Sequence, residues 1–240
     1  MKKFRSPSFT KSTVIIVGGY GSGKSEVAIN LSSFLVSSQS EKVAIADLDI
    51  VNPYFRSREA AARLNELGVR SLCPAGGQFY ADLPVILPEI KGAIEGFKGK
   101  LILDVGGDDT GARVLGSLAS SFVPGSYELF LVLNANRPFT ADVAGCLKMI
   151  SDIEKASRLK FTGIISNTHL LDDSTVQIVM NGFVLAQQVS EDSGLPVVFL
   201  SASSELVEEL DTKQINIPVL PLDRKLLKPW EREAGSGDNR

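Results

Sequence analysis

Short apolar runs recur along the chain: VIIV at 14–17, LILDV at 101–105, LFLVL at 129–133 and VVFL at 197–200. Each is followed by turn residues and then by a segment with helical periodicity. That alternation is the signature of βαβ units. Strands are expected at 13–17, 42–47, 101–105, 128–134, 162–167, 196–201 and 218–222. Helices are expected at 24–36, 57–67, 88–96, 110–121, 141–156, 173–190 and 204–210. The strand runs are nearly continuous in apolar residues, the pattern of parallel strands covered by helices on both faces. The expected fold is therefore α/β, a three-layer sandwich with a mostly parallel, twisted sheet. Residues 1–240 are read as one domain, with polar ends near 1–11 and 231–240 expected to fray.

Composition narrows the function classes. With 240 residues, 44% of them hydrophobic, the chain can bury a large core. Acidic residues outnumber basic ones by 28 to 25, which argues against general affinity for nucleic acid or an anionic membrane. The first apolar run is too short for a secretory h-region, and no run reaches membrane-spanning length. Cys73 and Cys146 lie far apart without CxxC spacing, and the chain has one histidine, so neither a disulfide framework nor a zinc site is indicated. A cytoplasmic protein is expected.

The sharpest chemistry follows the first strand. Gly18-Gly19-Tyr20-Gly21-Ser22-Gly23-Lys24-Ser25 satisfies G-x-x-x-x-G-K-[ST] in full, between a strand and a helix. Glycines let successive backbone N–H groups turn around a phosphate, and the helix starting near Lys24 adds its positive dipole end. Lys24 is expected to reach the β- and γ-phosphates and the Ser25 hydroxyl to ligate Mg²⁺.

Two carboxylate sites fall at strand ends, where open α/β sheets build their ligand crevice. In IADLDIVNP, Asp47 and Asp49 share a face if the strand runs through both, one for the Mg²⁺ shell and the other to orient an attacking water. Either assignment fits, and so does a turn cap before Asn52-Pro53. In LILDVGGDDTG, Asp104 looks like a Walker B aspartate holding Mg²⁺ through water. Gly107 then closes a D-x-x-G whose amide approaches the γ-phosphate.

With these residues in place, the chain resembles the SIMIBI class of P-loop NTPases, particularly the MinD/ParA/CobQ-like ATPases. The P-loop, the D-x-D after strand two, the D-V-G-G strand end and a late strand ending at Asn167 carry the likeness. It implies ATP and Mg²⁺ as ligands, and an asparagine at the position of Asn167 that contacts adenine, although Asn167 also suits a plain turn. That family commonly has a second lysine early in its P-loop, where this chain has Gly19. A homodimer, if formed, is then not expected to place a lysine on its partner's phosphates. A guanine site of the N-K-x-D kind is unsupported, since Asn167 is followed by Thr168, His169 and Leu170.

Two segments remain. PAGGQFYADLP, 74–84, suits a partner-binding loop or aromatic packing under a long loop. LLKPWERE is not a membrane helix, because Pro229 breaks it and its charges are mixed. Three functions compete. The first is a slow ATPase that switches a protein partner or assists metalloenzyme maturation. The second is a small-molecule kinase or ATP-dependent ligase with Arg56, Arg58 or Arg113 clamping the acceptor. The third is a regulatory nucleotide-binding subunit.

Overall fold

A computed structural model describes residues 4–39, 41–48, 58–72 and 83–224, with backbone alone for 39, 58–61 and 83–87. Eight strands form one sheet: β1 (Thr13–Gly18), β2 (Val43–Asp47), β3 (Val69–Ser71), β4 (Lys100–Gly106), β5 (Tyr127–Leu133), β6 (Gly163–Ser166), β7 (Val197–Ser203) and β8 (Val219–Leu222). Their order is β3-β2-β4-β1-β5-β6-β7-β8, and every pairing is parallel. The connecting helices are α1 (Lys24–Gln39), α2 (Arg58–Glu66), α3 (Leu83–Gly96), α4 (Asp109–Ser117), α5 (Val143–Ser157), α6 (Val176–Ser193) and α7 (Ser204–Glu209). The sheet is thus wholly parallel rather than mostly so.

Both faces of the central strands are buried, which is why their sequences lack polar alternation. In β1, Val14 and Ile16 face a core shared with Val27, Leu31 and Leu35 of α1. Ile15 and Val17 face the opposite core, with Val114 and Leu115 of α4 and Ile150 and Ile153 of α5. Two apolar layers of this kind make the three-layer sandwich.

Several expected boundaries shift. The short β3 has only Val69 buried, and three residues are too few to show a period in sequence. Helix α3 starts at Leu83, so Pro88 lies inside it rather than in its first turn. The expected start of α6 at 173 is instead a 3-10 turn, Leu171–Asp173, and the helix begins at Val176 with Thr175 Oγ1 accepting from the Ile178 N–H.

Part of the N-terminal stretch, from Phe4 on, packs against the sheet. Phe9 is buried, its ring 5.8 Å from Phe130 and 6.3 Å from Phe199. Lys100 Nζ donates to the carbonyls of Phe9 (2.7 Å) and Lys11 (2.8 Å), and Arg5 O accepts from Val219 N–H at 2.9 Å. These bonds satisfy a buried ammonium and fix the segment to the sheet. The expected loop at 74–84, apart from the first two residues of α3, and the LLKPWERE segment lie outside the described residues, as do 231–240.

Candidate functional site

The site assembles at the carboxyl ends of β1, β2, β4, β5 and β6. After β1 the backbone turns through Gly21 (φ +74°) and Gly23 (φ +80°), conformations that side chains other than glycine rarely adopt. Ser22 N–H donates to the Gly19 carbonyl at 3.0 Å, and Val27 N–H to the Gly23 carbonyl at 3.0 Å, starting α1. A Cβ at Gly23 would lie 2.4 Å from Asn167 Nδ2, so the loop fits its support only as glycine. Lys24 and Ser22 are both buried in this turn.

Beside the first turn of α1, Ser25 Oγ donates to Asp104 Oδ2 at 2.5 Å. Asp104 sits one residue before the end of its apolar run and pairs in register with Ile16 on one side and Asp47 on the other. Strand alternation puts both aspartates on the face covered by α1, opposite Leu103 and Val105. Both carboxylates are buried. Burying two acidic groups is costly unless they are hydrogen-bonded or face a cation. A hydroxyl and two carboxylates are the oxygen donors a hard divalent cation takes, usually together with phosphate oxygens. The donor set therefore fits Mg²⁺.

Strand β2 ends at Asp47, and Leu48 N–H donates the last ladder bond to β4, to the Asp104 carbonyl at 2.8 Å. The shared-face argument for Asp49 requires the strand to continue beyond the described Leu48. Asp49 and Arg56 lie outside the described residues, and Arg58 is described by backbone alone. Arg113 is exposed and pairs with Asp109 one turn away, at 3.7 Å.

Gly107 packs against the P-loop itself. A Cβ there would meet Gly18 C at 2.4 Å and Gly19 N at 2.6 Å. Just beyond it, Asp108 caps α4 by accepting from Gly111 N–H at 2.8 Å. The surfaces of Gly18, Gly19, Tyr20, Lys24, Gly107 and α5 enclose a cavity of about 700 Å³. Its far wall includes Met149, whose Cε would be 3.4 Å from a Cβ at Gly19. A side chain at position 19 would project into this cavity.

Asn167 supports the P-loop from the end of β6. It is buried, its Nδ2 donates to the Ser22 carbonyl at 2.8 Å, and its Oδ1 accepts from Ser201 Oγ at 2.9 Å. One bond from each end of the amide thus ties the P-loop to β7. His169 is half-buried next to Gly23, its Nδ1 accepting from Leu171 N–H at 3.3 Å. Burial, helped by the Arg137 charge, lowers its pKa from the ordinary 6.5, with the Ser22 backbone acting weakly in the opposite sense. Cys146 is buried, and burial with the Asp142 carboxylate pushes its thiol up to about 12, so it offers no ready nucleophile.

Two residues that no motif indicates hold the loop from the β5 side. Arg137 Nε and Asn134 Nδ2 both donate to the Gly21 carbonyl, at 2.8 and 3.3 Å. The signal for them in sequence is positional: NANR directly follows an apolar strand, as Asn167 does. Among the described residues, no helix is long and apolar enough to cross a membrane.

No protein-family model and no curated protein sequence matches the chain. Its fold, by contrast, has many solved counterparts. The cell division protein FtsY of Thermotoga maritima superposes with a TM-score of 0.54 at 20% identity, over 83% of this chain and 64% of that one. FtsY of Mycoplasma mycoides gives a TM-score of 0.54 at 18% identity, over 89% of this chain and 68% of that one. FlhF solved with GTP and Mg²⁺ gives 0.54 at 15%, over 86% of this chain and 71% of that one. The chain thus spans less than two thirds of the length of the Thermotoga protein. At these identities the likeness establishes the architecture, an eight-stranded parallel sheet of the P-loop NTPase kind.

Proposed function

We propose that this protein binds a Mg·nucleoside triphosphate at Gly18–Ser25, with ATP as the favoured nucleotide, and acts as a slow NTPase switch on a protein partner. The observation that carries the reading is the Ser25–Asp104 hydrogen bond at the base of a complete P-loop, with Asp47 in register beside it. Ser25 and Asp104 would hold Mg²⁺, which would supply charge neutralisation at the phosphate oxygens. Within the chain, Lys24 neutralises the same oxygens, Ser25 and Asp104 hold the cation side, and Gly107 gives the β4 loop close access to the phosphate end. That loop touches Gly18 and Gly19 directly, so a change at the phosphates moves α4, the means by which a partner reads the nucleotide state.

ATP is favoured because no carboxylate stands where the guanine-reading aspartate of N-K-x-D would be; Leu170 occupies the position. FlhF carries GTP in its own structure, so GTP is the competitor to test. Calorimetric titration with ATP and GTP, with and without Mg²⁺, checks the reading; no binding of either nucleotide removes it. Capture of partners with ATP against ADP bound then identifies the process being switched, metalloenzyme maturation included. A homodimer is one form the partner could take.

A second reading, phosphoryl or acyl transfer to a small acceptor, has the cavity beside Lys24 in its favour. At about 700 Å³ it exceeds what a terminal phosphate fills. Acceptor-dependent ADP formation, against acceptor-free slow hydrolysis, separates the two.

A further inference from the structure

The guanidinium of Arg137 lies across the P-loop. Its Nε donates to the Gly21 carbonyl at 2.8 Å, and a Cβ on Gly21 would fall 2.7 Å from Nε, 2.8 Å from Cζ and 3.2 Å from Nη2. The side chain grows from a braced turn. Arg137 N–H donates to Asn134 O (3.1 Å), Asn136 N–H to Asn134 Oδ1 (3.0 Å), and Thr140 Oγ1 to Asn134 O (2.7 Å). Arg137 is therefore held in place before any ligand arrives, with little rotamer freedom left to lose on binding.

A guanidinium carries five N–H donors, and the Gly21 carbonyl takes one. Among the described residues no carboxylate pairs with Arg137. A partly buried arginine fixed by a neutral acceptor, with its outer fork unassigned, is arranged for an anion. Its place on the loop says which anion. The cavity at the Lys24 end is lined by Gly18, Gly19 and Tyr20 and by Pro138 and Phe139 just after Arg137, but not by Gly21 or Arg137 itself. The Arg137 guanidinium lies over Gly21, beside Asn134 and His169, on the β6 side of the loop and opposite Gly107. Lys24 serves the terminal phosphates, so the opposite side of the same loop meets the sugar-proximal phosphate.

We propose that Arg137 is a phosphate-binding residue of this site, donating to the α-phosphate of a bound nucleotide while its Nε holds Gly21. The proposal rests on the nucleotide-binding reading above. It assigns a cation from the β5 turn to a P-loop that has glycine at position 19.

The test measures ATP and ADP affinity by calorimetry at two salt concentrations for the wild-type chain, Lys24→Ala, Arg137→Ala, Arg137→Lys and Arg137→Gln. Circular dichroism confirms folding of each. Because ATP and ADP share the α-phosphate, Arg137→Ala should weaken both by the same factor, about 10- to 100-fold, leaving their ratio unchanged. Arg137→Gln can still donate to the Gly21 carbonyl but has no charge, so it should bind as weakly as alanine and with a shallower salt dependence. Arg137→Lys should recover part of the loss. Wild-type affinity in the glutamine variant shows that Arg137 only braces the loop and overturns the proposal. A loss confined to ATP overturns it too, because the contact would then be to the γ-phosphate. If Lys24→Ala abolishes binding while all Arg137 variants bind normally, this proposal alone fails; if the wild-type chain binds neither nucleotide, the functional reading fails and takes it along.

Discussion

Ser25 Oγ and Asp104 Oδ2, 79 residues apart in sequence, are joined by a 2.5 Å hydrogen bond between the first turn of α1 and the end of β4. The bond sets the hydroxyl and carboxylate side by side as oxygen donors. Asp104→Asn keeps the size but loses the charge, and Ser25→Ala loses the hydroxyl. Each is expected to reduce the Mg²⁺-dependent gain in nucleotide affinity by about 10- to 100-fold, with affinity in EDTA nearly unchanged. Titrations with Mg²⁺ and with EDTA measure this; an undiminished Mg²⁺ effect in both variants would place the cation elsewhere.

Lys24→Ala tests the P-loop itself. Hydrogen bonds to charged groups are worth about 1.5–3 kcal/mol each, so losing two should weaken triphosphate binding by about 100-fold or more. Lys24 is buried in the loop and lines the cavity beside it, so the variant should still fold. A folded variant with wild-type ATP affinity would refute the phosphate role.

Gly107→Ala probes the contact between the β4 loop and the P-loop. Its methyl would lie 2.4 Å from Gly18 C and 2.6 Å from Gly19 N, both backbone atoms that cannot swing aside. Relief requires the two loops to part. Overpacking of this kind costs about 1–3 kcal/mol, a drop in Tm of several degrees for a chain of this size, and nucleotide affinity should fall with it. Gly92→Ala in α3 is the control, since its methyl meets nothing within 4 Å and alanine favours the helix. Equal Tm values for the two variants would show that the loop contact is dispensable.

How far this site was legible in sequence depends on how local each signal is. The P-loop is eight consecutive residues, and β1 and β4 are apolar on both faces, so their positions and the aspartate between Leu103 and Val105 could be read directly. Asn167 was visible as a polar strand end, but its bonds to Ser22 and Ser201 span 145 and 34 residues, and sequence shows no such pairing. Phe9 was hidden in a basic, serine-rich stretch, because a single aromatic has no periodicity. Arg137 was missed for the same reason: its acceptor is a backbone carbonyl 116 residues away, a contact any arginine could make from the right turn.

His169 gives a pH dependence of definite sign. Its folded pKa lies below the ordinary 6.5 because burial and the Arg137 charge disfavour the imidazolium. The unfolded chain therefore takes up a proton at a pH where the folded chain does not. Stability from this group is complete above about 6.5 and is lost as pH falls from there toward the lower folded value. Chemical denaturation of the wild type and of His169→Asn between pH 5 and 8 isolates the term as their difference. The wild type should lose more stability on acidification, and parallel curves would show that His169 does not contribute.

The last prediction concerns the chemical step. Asp47 is buried beside Asp104 and in register with it, whereas Asp49 lies outside the described residues. Asp47 is thus well placed for the cation's outer shell, and the role proposed for Asp49 is to orient the attacking water. On that division, Asp47→Asn should weaken Mg²⁺-dependent binding. Asp49→Asn should leave ATP affinity within about tenfold of wild type while slowing phosphate release by about 10²- to 10⁴-fold, the usual contribution of a positioned acid-base group. Single-turnover phosphate release measured beside equilibrium binding separates the two effects. If turnover falls only in Asp47→Asn the roles are exchanged. If it falls in neither variant, the D-x-D is a turn, and the hydrolytic switch loses the residue that was to start its reaction.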